Sequence, residues 1–234
     1  MNITEHTTVA EIASTLPASV RVFQRHGVDF CCGGRRPLAV VCAEQGVSFA
    51  EMARDIQTAA AIPPADARDW TAASLASLID HIIATYHDVL RTELPRLDTL
   101  AAKAAQAHVS RAPFLVRVAA IVGELSGELR DHMAKEETVL FPAIRAVEVG
   151  HAFDAMLVPG AVAVLEAEHD RAGALLGELR RITDGYVAPD WSCATLRALY
   201  QGLAELEAAM HVHVHLENNV LFPRAIAGVS AMVR

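Results

Sequence analysis

Residues 132–142 read HMAKEETVLFP, and residues 213–223 read HVHLENNVLFP. Both segments follow the pattern H-x-x-x-E-x-x-x-L-F-P. A His-Asp pair precedes each segment, as His87-Asp88 in the first half of the chain and His169-Asp170 in the second. The sequence therefore contains an internal duplication, in which each half carries His-Asp followed by H-x-x-x-E.

The spacing of these residues indicates helices with a buried polar stripe. Residues four apart lie on one helix face, with Cβ atoms about 6 Å apart, and Leu140 and Leu221 continue the same stripe four positions further on. The His and Glu side chains of both segments should therefore face the protein interior. Two helical hairpins related by the duplication predict an all-α fold, an up-down four-helix bundle.

The chain divides into three parts around this bundle. Helical periodicity predicts a small helical domain over residues 1–61, a proline-containing linker over 62–71 and the bundle over 72–234. The long helices are predicted over 74–107, 113–147, 159–183 and 192–225, with a bend at Pro95. The small domain should contain four short helices, the first capped by Thr8 and the last by Ser48.

The composition excludes several classes of protein. Of the 234 residues, 53% are hydrophobic and 21% are charged, which is typical of a packed core and not of a disordered chain. The net charge of −8 argues against a nucleic-acid-binding face, and no segment is apolar enough to predict a membrane helix. Four unevenly placed cysteines and the absence of a recognisable signal peptide favour the cytoplasm.

Six side chains of the repeat form a candidate metal site. A buried carboxylate costs several kcal/mol unless it is paired or binds a metal, so the two glutamates are expected to bridge two cations, with two histidines on each. Imidazole and carboxylate without thiolate suit iron or manganese better than zinc. Such a set leaves positions open for an oxo or hydroxo bridge and a small molecule. The candidate ligands are His87, His132, Glu136, His169, His213 and Glu217.

A duplication that preserved only core packing is the alternative explanation of the repeat. It accounts for the Leu-Phe-Pro tail, but it accounts poorly for polar residues repeated at interior positions. Glu128 lies four residues before His132 on the same stripe. It is therefore either an acid near the site, serving as a proton relay or in an access path, or a peripheral solvated residue.

Other polar residues near the candidate ligands are expected to lie outside the site. His211 and His215 flank His213 on other faces of the same helix and should be solvated. Glu137 is expected to be solvated or to contact a ligand from outside. The aspartates of the two His-Asp pairs should make polar contacts elsewhere, since adjacent residues do not share a helix face.

A turn at Asp29-Phe30-Cys31-Cys32-Gly33-Gly34 is the second distinctive feature. Its glycines are expected to adopt positive φ. Cys31 and Cys32 on such a turn are suited to binding a soft metal or to redox exchange, and the alternative is a buried turn with small apolar thiols. The other two cysteines, Cys42 and Cys193, are expected in the core.

The two features together resemble a known family. The small domain with Phe30-Cys31-Cys32-Gly33-Gly34 is similar to the ScdA-type N-terminal domain, and the repeat is similar to a hemerythrin-like bundle. Combined, they resemble the iron–sulfur cluster repair di-iron proteins over nearly the whole chain. The matching bundle segments are Asp80-His81-Ile82-Ile83, Tyr86-His87-Asp88, Glu168-His169-Asp170 and residues 216–223.

This resemblance implies a non-haem centre of two iron ions, with both glutamates bridging and the same six ligands as the repeat. It implies repair of iron–sulfur clusters damaged by nitrosative or oxidative stress, through iron donation, nitric oxide reduction or both. Damaged iron–sulfur proteins would be the clients, and nitric oxide or oxygen the small ligand. Cys31 and Cys32 would receive or pass iron, or sense redox state. The limited core of residues 1–61 also favours a homodimer or a client contact through the small domain.

Two rival functions make different predictions. A hemerythrin-like sensor or carrier would bind oxygen or nitric oxide reversibly, without turnover or loss of iron. Oxygen-carrying hemerythrins use five histidines, whereas four match here, which argues against a simple oxygen carrier. A structural or interaction protein would hold zinc or no metal, and metal analysis of the purified protein separates it from the other two.

Overall fold

The computed structural model describes residues 1–61, 68–151 and 155–232, so most of the predicted linker (62–67) lies outside the described residues. Within these ranges the regular structure is helical, apart from an isolated antiparallel bridge between Thr8 and Pro37. The predicted all-α class is therefore confirmed. None of the helices in the described ranges combines the length and the apolar character needed to span a bilayer.

Four short helices form the N-terminal unit. They are α1 (Val9–Thr15), α2 (Ser19–His26), α3 (Leu38–Gln45) and α4 (Phe49–Ala60). Thr8 and Glu11 form the capping box that starts α1, and the Ser48 side chain accepts a hydrogen bond from the Glu51 backbone N–H at the start of α4. These helices begin where the capping signals in the sequence predict them.

The turn between α2 and α3 is held by a carboxylate. Asp29 accepts hydrogen bonds of 2.8–3.0 Å from the backbone N–H groups of residues 31–33. The positive φ expected at the two glycines of the turn is wrong, because neither adopts it. Glycine is needed there for space instead: a Cβ on Gly34 would lie 2.6 Å from the Phe30 carbonyl oxygen, and one on Gly33 would lie 2.9 Å from Asp29 Oδ2.

Four long helices form the bundle, and three of them contain a π-helical turn. The first helix comprises α5 (Leu75–Ile82), a π turn (Ile83–His87) and α6 (Asp88–His108). The second comprises α7 (Leu115–Lys135), a π turn (Glu136–Leu140) and α8 (Phe141–Glu148). The third is α9 (Val158–Ile182), and the fourth comprises α10 (Ala194–Leu216), a π turn (Glu217–Leu221) and α11 (Phe222–Met232). The predicted helix bounds agree with the structure within a few residues, except that the fourth helix extends to Met232. Pro95, where a bend is predicted, lies inside α6, and the helix continues through it.

The long helices pack as an up-down bundle. α6 contacts α7 and α10, while α9 contacts α7 and α11. Two separate apolar clusters fill the interior, one that includes Leu97 and Tyr200 and one that includes Ile79 and Ile144. The candidate ligands occupy the layer between the two clusters, because each lies between residues of the two clusters along its helix.

The N-terminal unit packs against the bundle of the same chain. Val212 of α10 packs against the N-terminal core, and Cys31 belongs to one of the bundle clusters. The Gln24 amide donates to the Ala208 carbonyl oxygen at 3.1 Å, and Arg35 pairs with the carboxylate of a residue in α9 at 3.0 Å. The bundle therefore completes the small core of this unit.

Gly34→Ala is expected to lower the free energy of unfolding by about 1–3 kcal/mol, because the new Cβ would meet backbone atoms. Gly123→Ala is the matched control, since Gly123 lies exposed in α7 with open space at its Cβ position. The Gly123 substitution should raise the free energy of unfolding by about 0.5–1 kcal/mol. Urea unfolding followed by circular dichroism measures both, and equal effects would contradict the assignment of close contacts to Gly34.

Candidate metal centre

The six side chains predicted from the repeat converge between the two apolar clusters. All six are buried, with exposed fractions of 0–3%. Their ligand atoms form two groups, and the atoms of each group lie within 4.8 Å of one another. One group contains His87 and His213, the other contains His132 and His169, and both groups include Glu136 and Glu217.

Each glutamate reaches both groups, using a different oxygen atom for each. For Glu136, Oε2 lies 3.3 Å from His87 Nε2, and Oε1 lies 3.4 Å from His132 Nε2. For Glu217, Oε1 lies 3.0 Å from His213 Nε2, and Oε2 lies 3.2 Å from His169 Nε2. This arrangement suits two carboxylates that bridge a pair of ions, with two histidines on each ion.

The spacing of the ring nitrogens fits a cation in each group. The Nε2 atoms of His87 and His213 are 3.2 Å apart, and those of His132 and His169 are 3.0 Å apart. Two ligand atoms bound at about 2 Å to one ion, at a right angle, lie about 3 Å apart. Both oxygens of Glu136 lie near imidazole nitrogens, but among the described residues neither is in hydrogen-bond geometry. Because a buried carboxylate that lacks hydrogen bonds is costly, these residues fit a bound metal.

Hydrogen bonds from Nδ1 orient three of the four imidazoles. The pairs are His87 with Glu137 Oε1 (2.6 Å), His132 with Glu168 Oε2 (3.0 Å) and His169 with Asn218 Oδ1 (2.8 Å). In each pair the imidazole N–H donates, so the Nε2 lone pair is left for the metal. His213 differs: within the described ranges its Nδ1 has no partner, and its ring lies parallel to that of Tyr86.

The Leu-Phe-Pro tail of the repeat packs against the site. The Phe141 ring stacks on His87 and the Phe222 ring stacks on His169, with centroids 5.7 and 6.0 Å apart. Leu140 and Leu221 are fully buried in the neighbouring apolar cluster. The tail therefore restricts the imidazole rings and keeps one side of the site apolar.

The π-helical turns coincide with three of the candidate ligands. His87 ends the first turn, and Glu136 and Glu217 begin the other two. α9, which carries His169, is a regular α-helix at that position. Such turns are frequent at functional sites because they change which residues share a helix face. Helical periodicity missed them, since no residue type marks a π turn.

The prediction that His215 is solvated is wrong, and His211 is only partly exposed. His215 is 2% exposed, and its Nδ1 atom lies 3.1 Å from the Phe30 carbonyl oxygen. Burial lowers the pKa of His215 to about 4. His211 is half-buried and meets the edge of the Phe30 ring at 6.0 Å. The N-terminal unit covers this face of α10, a contact that the periodicity of one helix cannot reveal.

The acidic residues near the site take different positions. The Glu128 carboxylate is half-buried and pairs with Arg171 at 2.7 Å, and its role near the site stays a prediction. Glu137 contacts a ligand from outside, as expected, and it also pairs with Arg91. Glu168 plays the same part for His132 and also pairs with Lys135. In the sequence, Glu168 is marked only by its position directly before His169. Its contact is with His132 of another helix.

Cys31 and Cys32 lie beside the site and not in it. Both line a cavity of about 170 Å³ whose wall includes Asn218, the partner of His169. A hydrogen bond with Cys32, burial and the nearby Asp29 charge raise the pKa of Cys31, which keeps it a neutral thiol. Asn219 donates a hydrogen bond of 3.0 Å to the Cys31 carbonyl oxygen. The adjacent residues Asn218 and Asn219 therefore connect the candidate ligand His169 to the cysteine turn.

The remaining cysteines differ from each other. Cys42 is buried in the N-terminal core, as expected. Cys193 lies at the edge of the core: it packs against one bundle cluster, but it is partly exposed and occupies the N-cap position of α10. Its Sγ lies 3.2 Å from His108 Nε2, and hydrogen bonds from His108 and from backbone N–H groups lower its pKa to about 7.

Comparisons with known proteins match nearly the whole chain. The family described as the hemerythrin HHE cation-binding domain matches residues 78–225, and ScdA_N, described as a domain of unknown function (DUF542), matches residues 5–60. The iron-sulfur cluster repair protein YtfE of Cronobacter sakazakii is 38% identical over 220 residues, which cover 94% of this chain and 96% of that protein. The proteins of the same name from Pectobacterium atrosepticum and Citrobacter koseri are 37% identical, with the same coverage.

Metal binding is expected to release protons at pH 7. Burial alone lowers the pKa of His132, but Glu136, Glu217 and Glu168 outweigh burial and raise it to about 9 in the metal-free protein. His132 is therefore protonated at pH 7 and must lose a proton before Nε2 binds a metal, so metal affinity should rise as the pH rises from 7 towards 9. Anaerobic calorimetric titration with ferrous ion in two buffers of different ionisation enthalpy counts these protons. Binding without proton release at pH 7 would contradict this assignment.

Proposed function

Because the chain belongs to the iron–sulfur cluster repair family of hemerythrin-domain proteins, we propose that it restores iron–sulfur clusters damaged by nitrosative or oxidative stress through a pair of non-haem iron ions. The family resemblance carried by the cysteine turn and the duplicated bundle is confirmed by these relatives. Cluster repair is the function that their printed names state, and the metal centre is the site that supports it here.

The observation that carries the proposal is the position of two buried carboxylates that each reach both histidine pairs. Imidazole nitrogen and carboxylate oxygen without thiolate favour iron over a structural zinc ion. When bound, iron supplies a one-electron change of charge and open positions for a small molecule such as nitric oxide or oxygen. The proposed ligands are His87, His132, Glu136, His169, His213 and Glu217.

The side chains around these ligands hold and shield the centre. Glu137 and Glu168 accept hydrogen bonds from two of the imidazoles, which makes the imidazoles stronger donors to a metal. Phe141 and Phe222 cover two rings and exclude water from that side. Because the site is pre-organised and dry, its charges interact more strongly than they would in water.

Iron donation and nitric oxide reduction are the two routes that we propose for repair. Reduction joins two molecules of nitric oxide, with two electrons and two protons, into nitrous oxide and water. Donation requires a path from the buried centre to the surface, and the cavity lined by Cys31, Cys32 and Asn218 lies next to the ligand His169. We assign to these two thiols the role of receiving iron; because Cys31 is a neutral thiol in the metal-free protein, iron would have to displace its proton.

The partners in this proposal are damaged iron–sulfur proteins as clients and nitric oxide or oxygen as the small ligand. We also propose that two chains form a homodimer through the N-terminal unit, using the surface of this unit that does not face the bundle. The cytoplasm is its proposed compartment, because four free cysteines persist in a reducing environment.

His213→Ala is expected to lower the iron content from about two ions per chain to one or fewer, because it removes one of four imidazole ligands. His211→Ala is the matched control, since it removes a histidine from the same helix that is not in either ligand group. Iron analysis of anaerobically prepared protein, with a Mössbauer spectrum, measures both variants. Full iron content in the His213 variant would contradict the ligand assignment.

The two proposed routes are separated by what the reduced protein does with nitric oxide and with an apo-ferredoxin. If reduction dominates, the protein should consume nitric oxide over many turnovers under anaerobic conditions, with its iron retained. If donation dominates, iron should move to the apo-ferredoxin and turnover should be absent. Reversible nitric oxide binding with neither turnover nor iron transfer would support a sensor or carrier and would contradict both routes.

A further inference from the structure

Four aromatic rings form a continuous series that ends at a proposed iron ligand. Trp70 stacks on His81, with centroids 4.3 Å apart and planes 25° apart. The edge of His81 meets Tyr86 at 5.9 Å, and Tyr86 lies parallel to His213 at 5.0 Å. Trp70 is partly exposed, whereas His213 is 1% exposed, so the series leads from the surface to the centre.

Polar contacts order the outer part of this series. Arg224 donates hydrogen bonds to the carbonyl oxygens of Trp70 and Ala73, at 2.9 and 2.6 Å. The guanidinium of Arg68 lies 4.6 Å from the centroid of the Trp70 ring, within the range of a cation–π contact. These contacts fix the segment before α5, so the stacked rings keep one geometry.

The series also accounts for the exceptional environment of His213. The other three candidate imidazoles each donate an Nδ1 hydrogen bond to a side-chain oxygen, whereas His213 presents its ring face to Tyr86. Burial and the charge of Glu217 raise the pKa of Tyr86 to about 12. The phenol is therefore neutral at physiological pH and adds no charge beside the ligands.

The buried centre needs such a path because an external donor cannot touch it. The six candidate ligands are at most 3% exposed. Nitric oxide reduction consumes electrons, and donation of ferrous iron requires the ferric state to be reduced first. Electron transfer across a protein weakens steeply with each gap between conjugated groups, so rings in contact are favoured over saturated side chains as a route.

We propose that Trp70, His81 and Tyr86 conduct single electrons from a donor at the surface to the centre, through His213. This proposal rests on the iron pair proposed above. In each transfer the donor, a reduced flavin protein or iron–sulfur protein, loses one electron and one ferric ion becomes ferrous. The rings form and break no bonds, and each ring ends in its starting state.

Stopped-flow reduction of the oxidised, iron-loaded full chain by reduced flavodoxin tests the path. Trp70→Leu, His81→Leu and Tyr86→Leu should each slow the loss of ferric absorbance at least tenfold, while Tyr86→Phe, which keeps the ring, should stay within twofold of wild type. Trp191→Leu is the matched control, because Trp191 also packs against a histidine and an arginine, His108 and Arg111, but these contacts include no candidate ligand. Wild-type rates in both the Trp70 and the His81 variants would overturn the proposal.

Iron content and the Mössbauer spectrum of every variant separate this result from failure of the proposed iron pair. If the Trp70 and His81 variants hold two irons and are reduced at the wild-type rate, only the path is overturned. Loss of iron from wild type overturns the proposed function instead.

A second measurement uses the metal-free chain, so it holds even where a variant fails to load iron. The Trp191→Leu variant leaves Trp70 as the one tryptophan of the chain. Azide radicals oxidise Trp70 by one electron, and the Trp70 radical signal should decay as a tyrosyl radical signal from Tyr86 grows. Adding Tyr86→Phe should abolish that growth, because neutral tyrosine loses an electron and a proton where phenylalanine does not. Undiminished tyrosyl growth in the double variant would overturn the path from Trp70 through His81 to Tyr86.

Discussion

Two carboxylates in the dry middle of the bundle constrain the rest of the structure. Glu136 and Glu217 are completely buried, in a layer between two apolar clusters, where an uncompensated charge costs several kcal/mol. Four imidazoles surround them, and the nitrogen atoms are spaced as ligands of shared cations are. Because folded domains are stable by only about 5–15 kcal/mol, binding of the proposed cations would be coupled to folding of this layer.

Much of the centre could be predicted from the sequence, because duplication and the period of the α-helix are both local signals. The repeated His and Glu residues at interior positions identified all six side chains that converge. The π turns could not be predicted, since they depend on how the helices pack around the site. The burial of His215 and the stack of Trp70 on His81 could not be predicted either, because both arise from segments distant in sequence.

The two halves of the duplication are not equivalent in the folded protein. His87 ends a π turn, whereas its counterpart in the second half, His169, lies on a regular α-helix. Two imidazoles donate to carboxylates, one donates to an amide, and one faces a phenol ring. The two proposed metal positions would therefore differ in electron donation from their ligands, although the ligand types are the same.

The contact between Asn219 and the cysteine turn bears on how the chain can be divided. Asn219 and His215 both point polar groups at the Phe30 carbonyl oxygen, and the preceding residue, Asn218, holds His169. A truncation at the linker would leave these amide and imidazole groups facing solvent and would uncover Val212. The two family domains are thus not independent modules: cutting the gene between them would remove a wall of the metal-binding half along with its neighbour.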